Sequence, residues 1–427
     1  MAVTAIVGAN WGDEGKGKIT DHLAKFSDFV VRFQGGKNAG HTIINEYGKF
    51  ALHLLPSGVF FQNVTNILGT GIALDIQAFL SERKQLLERE VPEPRIAISE
   101  RAQVVLPYHI LFDEYEESRL ADKKFGSTKS GIAPFYADKY MKIGVQAADL
   151  FDERRLLARL DASLAAKNVL LEHLYHQPTI KASDLVPILM GYGEQVRPFL
   201  ADTTTILQDA VRKGDDILLE GQLGALRDPD HGIYPYPTSS STLAGFASVG
   251  AGIPPQTIRR IIAVTKSYSS CVGAGPFVSE IFNDEASELR ERGGSDGEYG
   301  ATTGRPRRMG WFDVVATRYG CRIQGATEIA LTLLDVLGYR DEIPVCTAYE
   351  IGGKQSQTFP VPSALESARP VLETLPGWKC DISEIRDFKD LPNEAQNYVR
   401  FIEERVGVSV SLISVGPRRE DMIKISP

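Results

Sequence analysis

The stretch VTAIVGANWGDEGKGKITDHL, residues 3–23, is the starting point for predicting the fold, because it combines a strand, a glycine turn and a helix. Its opening VTAIV is an apolar run typical of a buried strand, and from Lys18 onward the apolar residues Ile19 and Leu23 have helical spacing. A turn rich in glycine lies between the two segments. A strand, a glycine turn and a helix N-terminus together predict an anion site, because the first N–H groups of a helix have no partners within it.

The turn partly matches a phosphate-binding loop. Gly12-x4-Gly17-Lys18 fits the GxxxxGK pattern, but Ile19 stands where the magnesium-binding Ser or Thr is expected. Asp13 lies inside the turn. A carboxylate beside phosphates is repelled unless it binds a metal or exchanges a proton, so Asp13 is a candidate for the chemistry. The alternative is a structural glycine turn with solvated charges.

Further segments with strand character are residues 29–33, 217–221, 258–265 and 328–335, and helical patterns separate them. This alternation predicts an α/β fold with a large, mostly parallel sheet flanked by helices. Long helical patterns dominate from about residue 100 to 200. We therefore expect an inserted helical subdomain in that part of the chain.

Length, charge and cysteine content narrow the class of protein. The chain has 427 residues, which suits one large elaborated domain or two to three domains, and its formal net charge of −8 argues against a nucleic-acid or anionic membrane surface. The sequence opens on AVTAIVG, which does not resemble a secretion signal. Its four widely spaced cysteines argue against a zinc site and favour reduced thiols, so we expect a cytoplasmic protein without nucleic-acid or membrane partners.

A second loop, QGGKNAGHT, residues 34–42, follows the second predicted strand and carries Asn38 and His41. A histidine there can donate to developing negative charge or move a proton near neutral pH. A structural loop histidine is the alternative interpretation of His41.

A third loop, GATTGRPRR, residues 300–308, contains three arginines and two threonines that predict a clamp for a carboxylate or phosphate. A solvated basic loop would have the same composition. Farther along, TLLD is predicted to end a strand at Asp335. That carboxylate can accept two hydrogen bonds from the N1–H and 2-amino edge of guanine, or it can cap a helix.

Together these loops resemble the adenylosuccinate synthetase family. The resemblance covers essentially the full chain and rests on WGDEGKGK, NAGHT, DHGIYPY, VGAGPF, GATTGRPRR and ISVGPRR. It implies a single domain of residues 1–427, related to phosphate-loop NTPases, with the helical subdomain at about 100–200. It also implies a cytoplasmic homodimer that joins L-aspartate to IMP with GTP and Mg²⁺ in AMP biosynthesis. The products would be adenylosuccinate, GDP and phosphate, formed through 6-phosphoryl-IMP.

The resemblance also implies roles for individual residues. Asp13 would be the base that removes the N1 proton of IMP, and it would bind Mg²⁺ together with the backbone carbonyl of Gly40. His41 would donate to the transferring phosphate, and Lys142 would reach IMP in the neighbouring subunit. The residues implied for GTP are Gly12, Asp13, Glu14, Gly15, Lys16, Gly17, Lys18, Gly40, His41, Thr42, Arg307, Leu333, Asp335, Ser414, Val415 and Gly416. Those implied for IMP are Asp13, Glu14, Gly15, Lys16, Asn38, Ala39, Gly40, His41, Thr128, Lys142, Leu223, Thr238 and Arg305. Those implied for aspartate are Ala301, Thr302, Thr303, Gly304, Arg305, Pro306 and Arg307.

Four departures from the family pattern fall in these loops. EGQLG has Leu223 where the family often has glutamine, with Gln222 one place earlier, and Leu333 replaces a lysine that lies along the guanine ring. Lys142 replaces an arginine and loses its bidentate fork, and Pro306 stiffens the aspartate loop. Two alternatives therefore stay open: a GTP-binding switch protein without ligase chemistry, and a sister ligase that aminates another purine monophosphate, such as GMP or dGMP.

Overall fold

The structure is a computed structural model that describes residues 3–121, 126–294, 297–300 and 304–425. The helices are α1 Lys16–Ala24, α2 Ile76–Glu88, α3 Pro107–Leu120, α4 Ile132–Met141, α5 Glu153–His173, α6 Ala182–Val196, α7 Thr203–Lys213, α8 Ala244–Ala251, α9 Asp284–Arg292, α10 Val314–Gln324, α11 Pro362–Leu365 and α12 Asn393–Val406. The strands are β1 Val3–Gly8, β2 Phe29–Arg32, β3 His41–Asn45, β4 Gly48–Leu52, β5 Thr65–Leu68, β6 Ala73–Leu74, β7 Arg95–Ser99, β8 Gln103–Val104, β9 Leu200–Ala201, β10 Ile217–Gly224, β11 Ile258–Lys266, β12 Ser269–Cys271, β13 Arg308–Gly310, β14 Phe312–Asp313, β15 Glu328–Thr332, β16 Glu342–Ile351, β17 Lys354–Ser356, β18 Arg369–Pro376, β19 Val410–Ser414 and β20 Met422–Lys424. Across these ranges no helix combines the length and the apolarity needed to cross a membrane.

The central sheet has ten strands in the order β20-β19-β15-β11-β1-β10-β2-β5-β7-β9. Neighbouring strands are parallel except for β19 and β20. The predicted α/β fold with a large, mostly parallel sheet is confirmed. β1 is buried throughout because its side chains alternate between two apolar layers: Ala5 and Val7 join the cluster of α7 and α8, and Ile6 joins the cluster of α1.

The helical stretch predicted at about 100–200 contains α3 to α6. Its longest helix, α5, begins after Asp152, whose side chain accepts a hydrogen bond from the N–H of Arg155 and so caps the helix. Leucines of α5 and α6 pack into one apolar cluster with residues of α2 and of strands in the first half of the chain. The division of the chain into one domain with a helical subdomain stays a prediction.

The carboxyl ends of six adjacent strands, β19, β15, β11, β1, β10 and β2, point to the same edge of the sheet because these strands are parallel. Ligands bind at such an edge in open α/β sheets. One predicted boundary here was wrong. β15 ends at Thr332, since Leu333 has a left-handed φ of 60° that a strand cannot continue, and Asp335 begins a 3-10 turn, Asp335–Tyr339.

Candidate active site

A cavity of about 360 Å³ opens at this edge of the sheet. Each of the six strands contributes to its wall at or just after its carboxyl end: Asp13, Gly40, Leu223, Lys266, Leu333 and Gly416. A larger cavity of about 680 Å³ lies between α2, β4 and residues 128–130. Because the glycine turn and His41 line the smaller cavity, we place the candidate active site there.

The glycine turn is braced by its own charged residues. Gly15 has a left-handed φ of 92°, which glycine adopts without steric cost, and α1 begins immediately after it. Glu14 Oε1 accepts hydrogen bonds from the N–H groups of Asn10 (3.1 Å) and Gly12 (2.8 Å). Lys16 Nζ donates to Glu14 Oε2 at 2.5 Å. Glu14 therefore holds the turn in shape and offsets the charge of Lys16.

Lys18, the lysine of the GxxxxGK pattern, is directed to the C-terminal part of the chain. Its Nζ donates to Ser414 Oγ (2.6 Å), to the carbonyl of Gly416 (2.6 Å) and to the carbonyl of Asp421 (2.9 Å). Burial lowers its pKa to about 8, against the opposing effect of nearby carboxylates. Lys18 thus joins the glycine turn to the loop after β19.

Asp13 lies at the wall of the cavity with 23% of its side chain exposed. Its φ of 60° is left-handed, a conformation that aspartate tolerates better than most residues. Arg307 Nε lies 3.2 Å from Asp13 Oδ2. Burial alone would raise the pKa of the Asp13 carboxyl, but Arg307, Lys266 and Lys16 together hold it below its ordinary value. Asp13 is consequently ionised near neutral pH.

His41 lies in the same wall and is buried against a carboxylate. Its Nδ1 donates to Glu220 Oε1 at 2.5 Å, and Glu220 also accepts from Ser57 N–H (2.8 Å) and Ser57 Oγ (2.6 Å). Burial and the Arg32 guanidinium lower the pKa of His41, while Glu220 opposes them. His41 Nε2 is buried and has no hydrogen-bond partner among the described residues. The ring lies against α1, since a Cβ at Gly17 would be 2.6 Å from His41 Cβ.

The arginine loop divides between three environments. Arg307 lines the cavity, whereas Arg305 Nη1 donates to the carbonyl of Gly126 at 2.9 Å and so links this loop to the segment that carries Thr128. Arg308 pairs with Glu280, and its Nη1 donates to the carbonyl of Gly275 at 2.8 Å. Only Arg307 of these three therefore faces the glycine turn. Ala301, Thr302 and Thr303 lie outside the described residues.

Asp335 follows the cavity-lining Leu333 in a segment that contacts the end of β19. The N–H of Leu334 donates to the carbonyl of Ser414 at 3.1 Å. Asp335 Oδ1 is buried without a hydrogen-bond partner in the described part of the chain. Burial raises the pKa of Asp335 to about 6, although Lys18 opposes the shift. A buried carboxylate oxygen of this kind can accept a hydrogen bond from a ligand.

Comparison with known proteins identifies the family. The family model for adenylosuccinate synthetase matches residues 5–423. The chain belongs to the adenylosuccinate synthetase family. The adenylosuccinate synthetase of Dehalococcoides mccartyi is 44% identical over 99% of this chain and 100% of its own, and that of Streptomyces griseus subsp. griseus is 45% identical over 100% and 99%. A solved structure, fully ligated adenylosuccinate synthetase from Plasmodium falciparum, superposes with a TM-score of 0.91 at 34% identity and covers 100% of both chains.

In this adenylosuccinate synthetase family member, the predicted site residues that the structure describes fall into two groups. Those in the cavity wall are Asp13, Gly15, Lys16, Gly17, Lys18, Ala39, Gly40, His41, Thr42, Leu223, Arg307, Leu333, Ser414 and Gly416. Those that the structure describes elsewhere are Gly12, Glu14, Asn38, Thr128, Lys142, Thr238, Gly304, Arg305, Pro306, Asp335 and Val415. The ligand that each residue binds stays a prediction.

The EGQLG departure has a structural explanation. Gln222 Nε2 donates to the carbonyl of Gly36 at 2.6 Å, and Gln222 Oε1 accepts from the N–H of Gly36 at 3.2 Å. Gln222 therefore holds the second loop in place, with both polar atoms of its amide bonded to that loop. Leu223 itself lines the cavity with a left-handed φ of 62°.

Sequence reasoning missed three charged residues of this site: Glu220, Lys266 and Glu298. Glu220 and Lys266 occupy otherwise apolar strands, ILLEG and IIAVTK. A charge inside a buried strand requires a partner, and that signal could have identified both residues. Glu298 lies in the polar stretch GGSDGEYG, where one more acid carries no signal.

Proposed function

We propose that this chain catalyses the GTP-dependent ligation of L-aspartate to IMP, giving adenylosuccinate, GDP and phosphate, in AMP biosynthesis. One observation carries the proposal: an ionised Asp13 and a carboxylate-paired His41 line one cavity with the glycine turn. Membership of the family along residues 5–423 supports it.

In the first step, Asp13 accepts the N1 proton of IMP. Loss of that proton places negative charge on O6, which then attacks the γ-phosphorus of GTP to form 6-phosphoryl-IMP. The bond from phosphorus to the β–γ bridging oxygen breaks, and GDP leaves. Because O6 is a poor leaving group as hydroxide, its conversion to a phosphate prepares C6 for amination.

His41 stabilises the phosphoryl group during this transfer. Its Nδ1 proton is held by Glu220, so the neutral ring presents the lone pair of Nε2. The negative charge of a bound triphosphate would raise the pKa of His41, and Glu220 would stabilise the imidazolium that forms. Nε2–H could then donate to a γ-phosphoryl oxygen. Glu220 acts through His41 as a positioning residue.

A divalent cation suits this cavity, and we propose Mg²⁺. Asp13 places a carboxylate in the wall, and Gly40 lies in the same wall. The described residues contain no cluster of three or more His, Cys, Asp or Glu that could enclose a metal. That arrangement fits Mg²⁺, which proteins usually hold through one or two carboxylates together with substrate phosphates. The ion would offset charge on the γ-phosphoryl group.

In the second step, the amine of aspartate attacks C6 and phosphate leaves. Arg307, which faces the glycine turn, would hold a carboxylate of aspartate together with residues 301–306, and it would also reach GTP. IMP would contact Asn38, Thr128, Thr238 and Arg305, and the guanine of GTP would contact Asp335. Two observations support the IMP contacts. Asn38 Oδ1 is buried without a hydrogen-bond partner among the described residues, and Arg305 Nη1 is bonded to the segment that carries Thr128.

We further propose a cytoplasmic homodimer of single-domain subunits in which Lys142 reaches the neighbouring active site. Lys142 is exposed at the C-terminal end of α4 and does not line the cavity of its own chain. Tyr140 and Met141 beside it are each 65% exposed, which suits a contact surface.

A turnover assay tests the proposal. Enzyme would be incubated with aspartate, Mg²⁺, one triphosphate (GTP or ATP) and one acceptor (IMP, GMP or dGMP), and products would be separated by liquid chromatography. We expect adenylosuccinate only with IMP, and faster with GTP than with ATP. Faster amination of GMP or dGMP would indicate the sister ligase. A rate of GTP hydrolysis that does not depend on IMP or aspartate, together with nucleotide-dependent binding of a protein partner, would indicate the switch protein.

A further inference from the structure

The cavity wall also contains a buried carboxylate, Glu298, that the proposed reaction does not use. Its side chain is 2% exposed. Glu298 Oε1 accepts hydrogen bonds from Lys266 Nζ and from the hydroxyl of Tyr268, both at 2.6 Å. Glu298 Oε2 pairs with Arg307 Nη1. One carboxylate thus balances two buried cations that both line the cavity.

Arg307 is held between two carboxylates. Its Nε lies 3.2 Å from Asp13 Oδ2, and its Nη1 is bound to Glu298 Oε2. The N–H of Arg307 also donates to the carbonyl of Glu298 at 2.9 Å, so both the backbone and the side chain of Glu298 set the place of this arginine. The guanidinium therefore has a fixed position from which it can reach an anion on the glycine turn.

Removing the negative charge of Glu298 would change this balance. Lys266 and Arg307 would then be two buried cations with Asp13 as the nearest anion, and an uncompensated buried charge is strongly unfavourable. The guanidinium would turn toward Asp13 and occupy the carboxylate that the reaction needs. A neutral residue at this position should therefore weaken anion binding and also impair the base.

We propose that Glu298 is a positioning residue that holds Arg307 and Lys266 in place for the phosphates of GTP and the carboxylate of aspartate. The role of Arg307 toward aspartate rests on the proposed function. Binding of a triphosphate by Arg307 and Lys266 is inferred separately, because both residues line the same cavity as the glycine turn. The conservative variant Glu298→Asp keeps the charge on a shorter side chain, so it should recover part of the contact.

The experiment compares Glu298→Gln and Glu298→Asp with the wild type. A matched control is Glu328→Gln, which removes a carboxylate from an arginine pair (Arg260 Nε to Glu328 Oε1, 2.5 Å) at the opposite end of the central sheet. The dissociation constant of a non-hydrolysable GTP analogue with Mg²⁺ is measured by calorimetry. The KM for aspartate and the kcat are measured by turnover, and thermal midpoints report stability.

For Glu298→Gln we expect the dissociation constant and the KM for aspartate to rise about 10- to 100-fold, the range for a hydrogen bond to a charged group. Glu328→Gln should match the wild type, and Glu298→Asp should lie between. Unchanged constants in Glu298→Gln, or a loss that only follows a lower thermal midpoint, would overturn the positioning role. If Glu298→Gln does not fold, Glu298→Asp decides: an intermediate dissociation constant supports the role and a wild-type value overturns it. A wild type that binds the analogue but makes no adenylosuccinate would overturn the proposed function alone, because analogue binding still tests Glu298.

Discussion

Glu220→Gln should lower kcat while leaving the KM values for IMP, GTP and aspartate nearly unchanged, because Glu220 contacts His41 and no other residue that is predicted to bind a ligand. The carboxylate is fully buried and accepts one hydrogen bond from His41 Nδ1 (2.5 Å) and two from Ser57 (2.6 and 2.8 Å). Glutamine keeps the size of the side chain and one acceptor oxygen but loses the charge.

The expected magnitude follows from that loss. A hydrogen bond to a charged group contributes about 1.5–3 kcal/mol and a neutral one about 0.5–1.5 kcal/mol. The difference corresponds to about tenfold in rate. If the imidazole ring of His41 also became free to rotate, the rate would fall further, so we expect kcat to fall about 10- to 100-fold.

The pH profile supplies a second, independent readout. Glu220 raises the pKa of His41 against burial and Arg32, so its removal lowers that pKa further. If the protonated imidazolium is the active form, kcat declines as the pH rises through the pKa of His41. In Glu220→Gln that decline should occur at lower pH than in the wild type.

A suitable control is Glu82→Gln, which neutralises another buried carboxylate. Glu82 accepts hydrogen bonds from the N–H groups of His53 and Leu54 at 2.7 and 3.0 Å. Both variants should lose stability, but only Glu220→Gln should lose kcat with a shifted pH profile. Equal kcat in the two variants, or an unshifted profile, would refute the reasoning about His41.

Four shorter predictions concern the remaining parts of the site. Asp13→Asn should reduce adenylosuccinate formation at least about 100-fold with folding intact, and normal turnover would remove Asp13 as the base. Leu333→Lys should lower the KM for GTP about 2- to 5-fold if a cation over the guanine ring contributes, and an unchanged KM would argue against that contact. Asp335→Asn should reduce the ratio of kcat/KM for GTP to that for ATP about tenfold, since a charged acceptor becomes neutral, and the ratio itself is the test. The pKa of Glu298 is lowered to about 2 from 4.5, so its stabilisation, about 3 kcal/mol, is present above the unfolded pKa and lost as pH falls from 4.5 toward 2. Denaturant titrations across that range should show a shallower decline in the unfolding free energy for Glu298→Gln than for the wild type.

The parts of the fold that were predictable are those in which local pattern and tertiary environment agree. β1, β2 and β11 are apolar runs that lie in the interior of the sheet, and the glycine turn after β1 leads directly into α1. The end of β15 was not predictable, because TLLD continues the strand pattern and leucine rarely adopts the left-handed backbone of Leu333.

The site was predictable in part for a similar reason. Asp13 and His41 follow predicted strands in loops rich in glycine, so their residue types and their positions indicate the same edge of the sheet. The partners of these residues come from distant parts of the chain: Glu220 lies 179 positions from His41, and Arg307 approaches Asp13 from a separate loop. Contacts at such separations depend on the packed structure, and no local pattern specifies them.

Asp13 and two residues that depart from the family pattern, Leu223 and Leu333, share a left-handed backbone conformation. All three line the cavity with φ between 60° and 62°. Such a conformation costs roughly 1–2 kcal/mol for a residue other than glycine, and it persists where the surrounding structure requires it. At positions 223 and 333, where the side chains differ from the usual family residues, the surrounding structure therefore holds an unfavourable backbone. If these loops contact the purine rings as proposed, we expect the two leucines to alter those contacts and to leave Asp13 and His41 in place. We therefore expect substitutions at Leu223 or Leu333 to alter the preference for acceptor or triphosphate. Substitutions at Asp13, His41, Glu220 or Glu298 should instead reduce turnover.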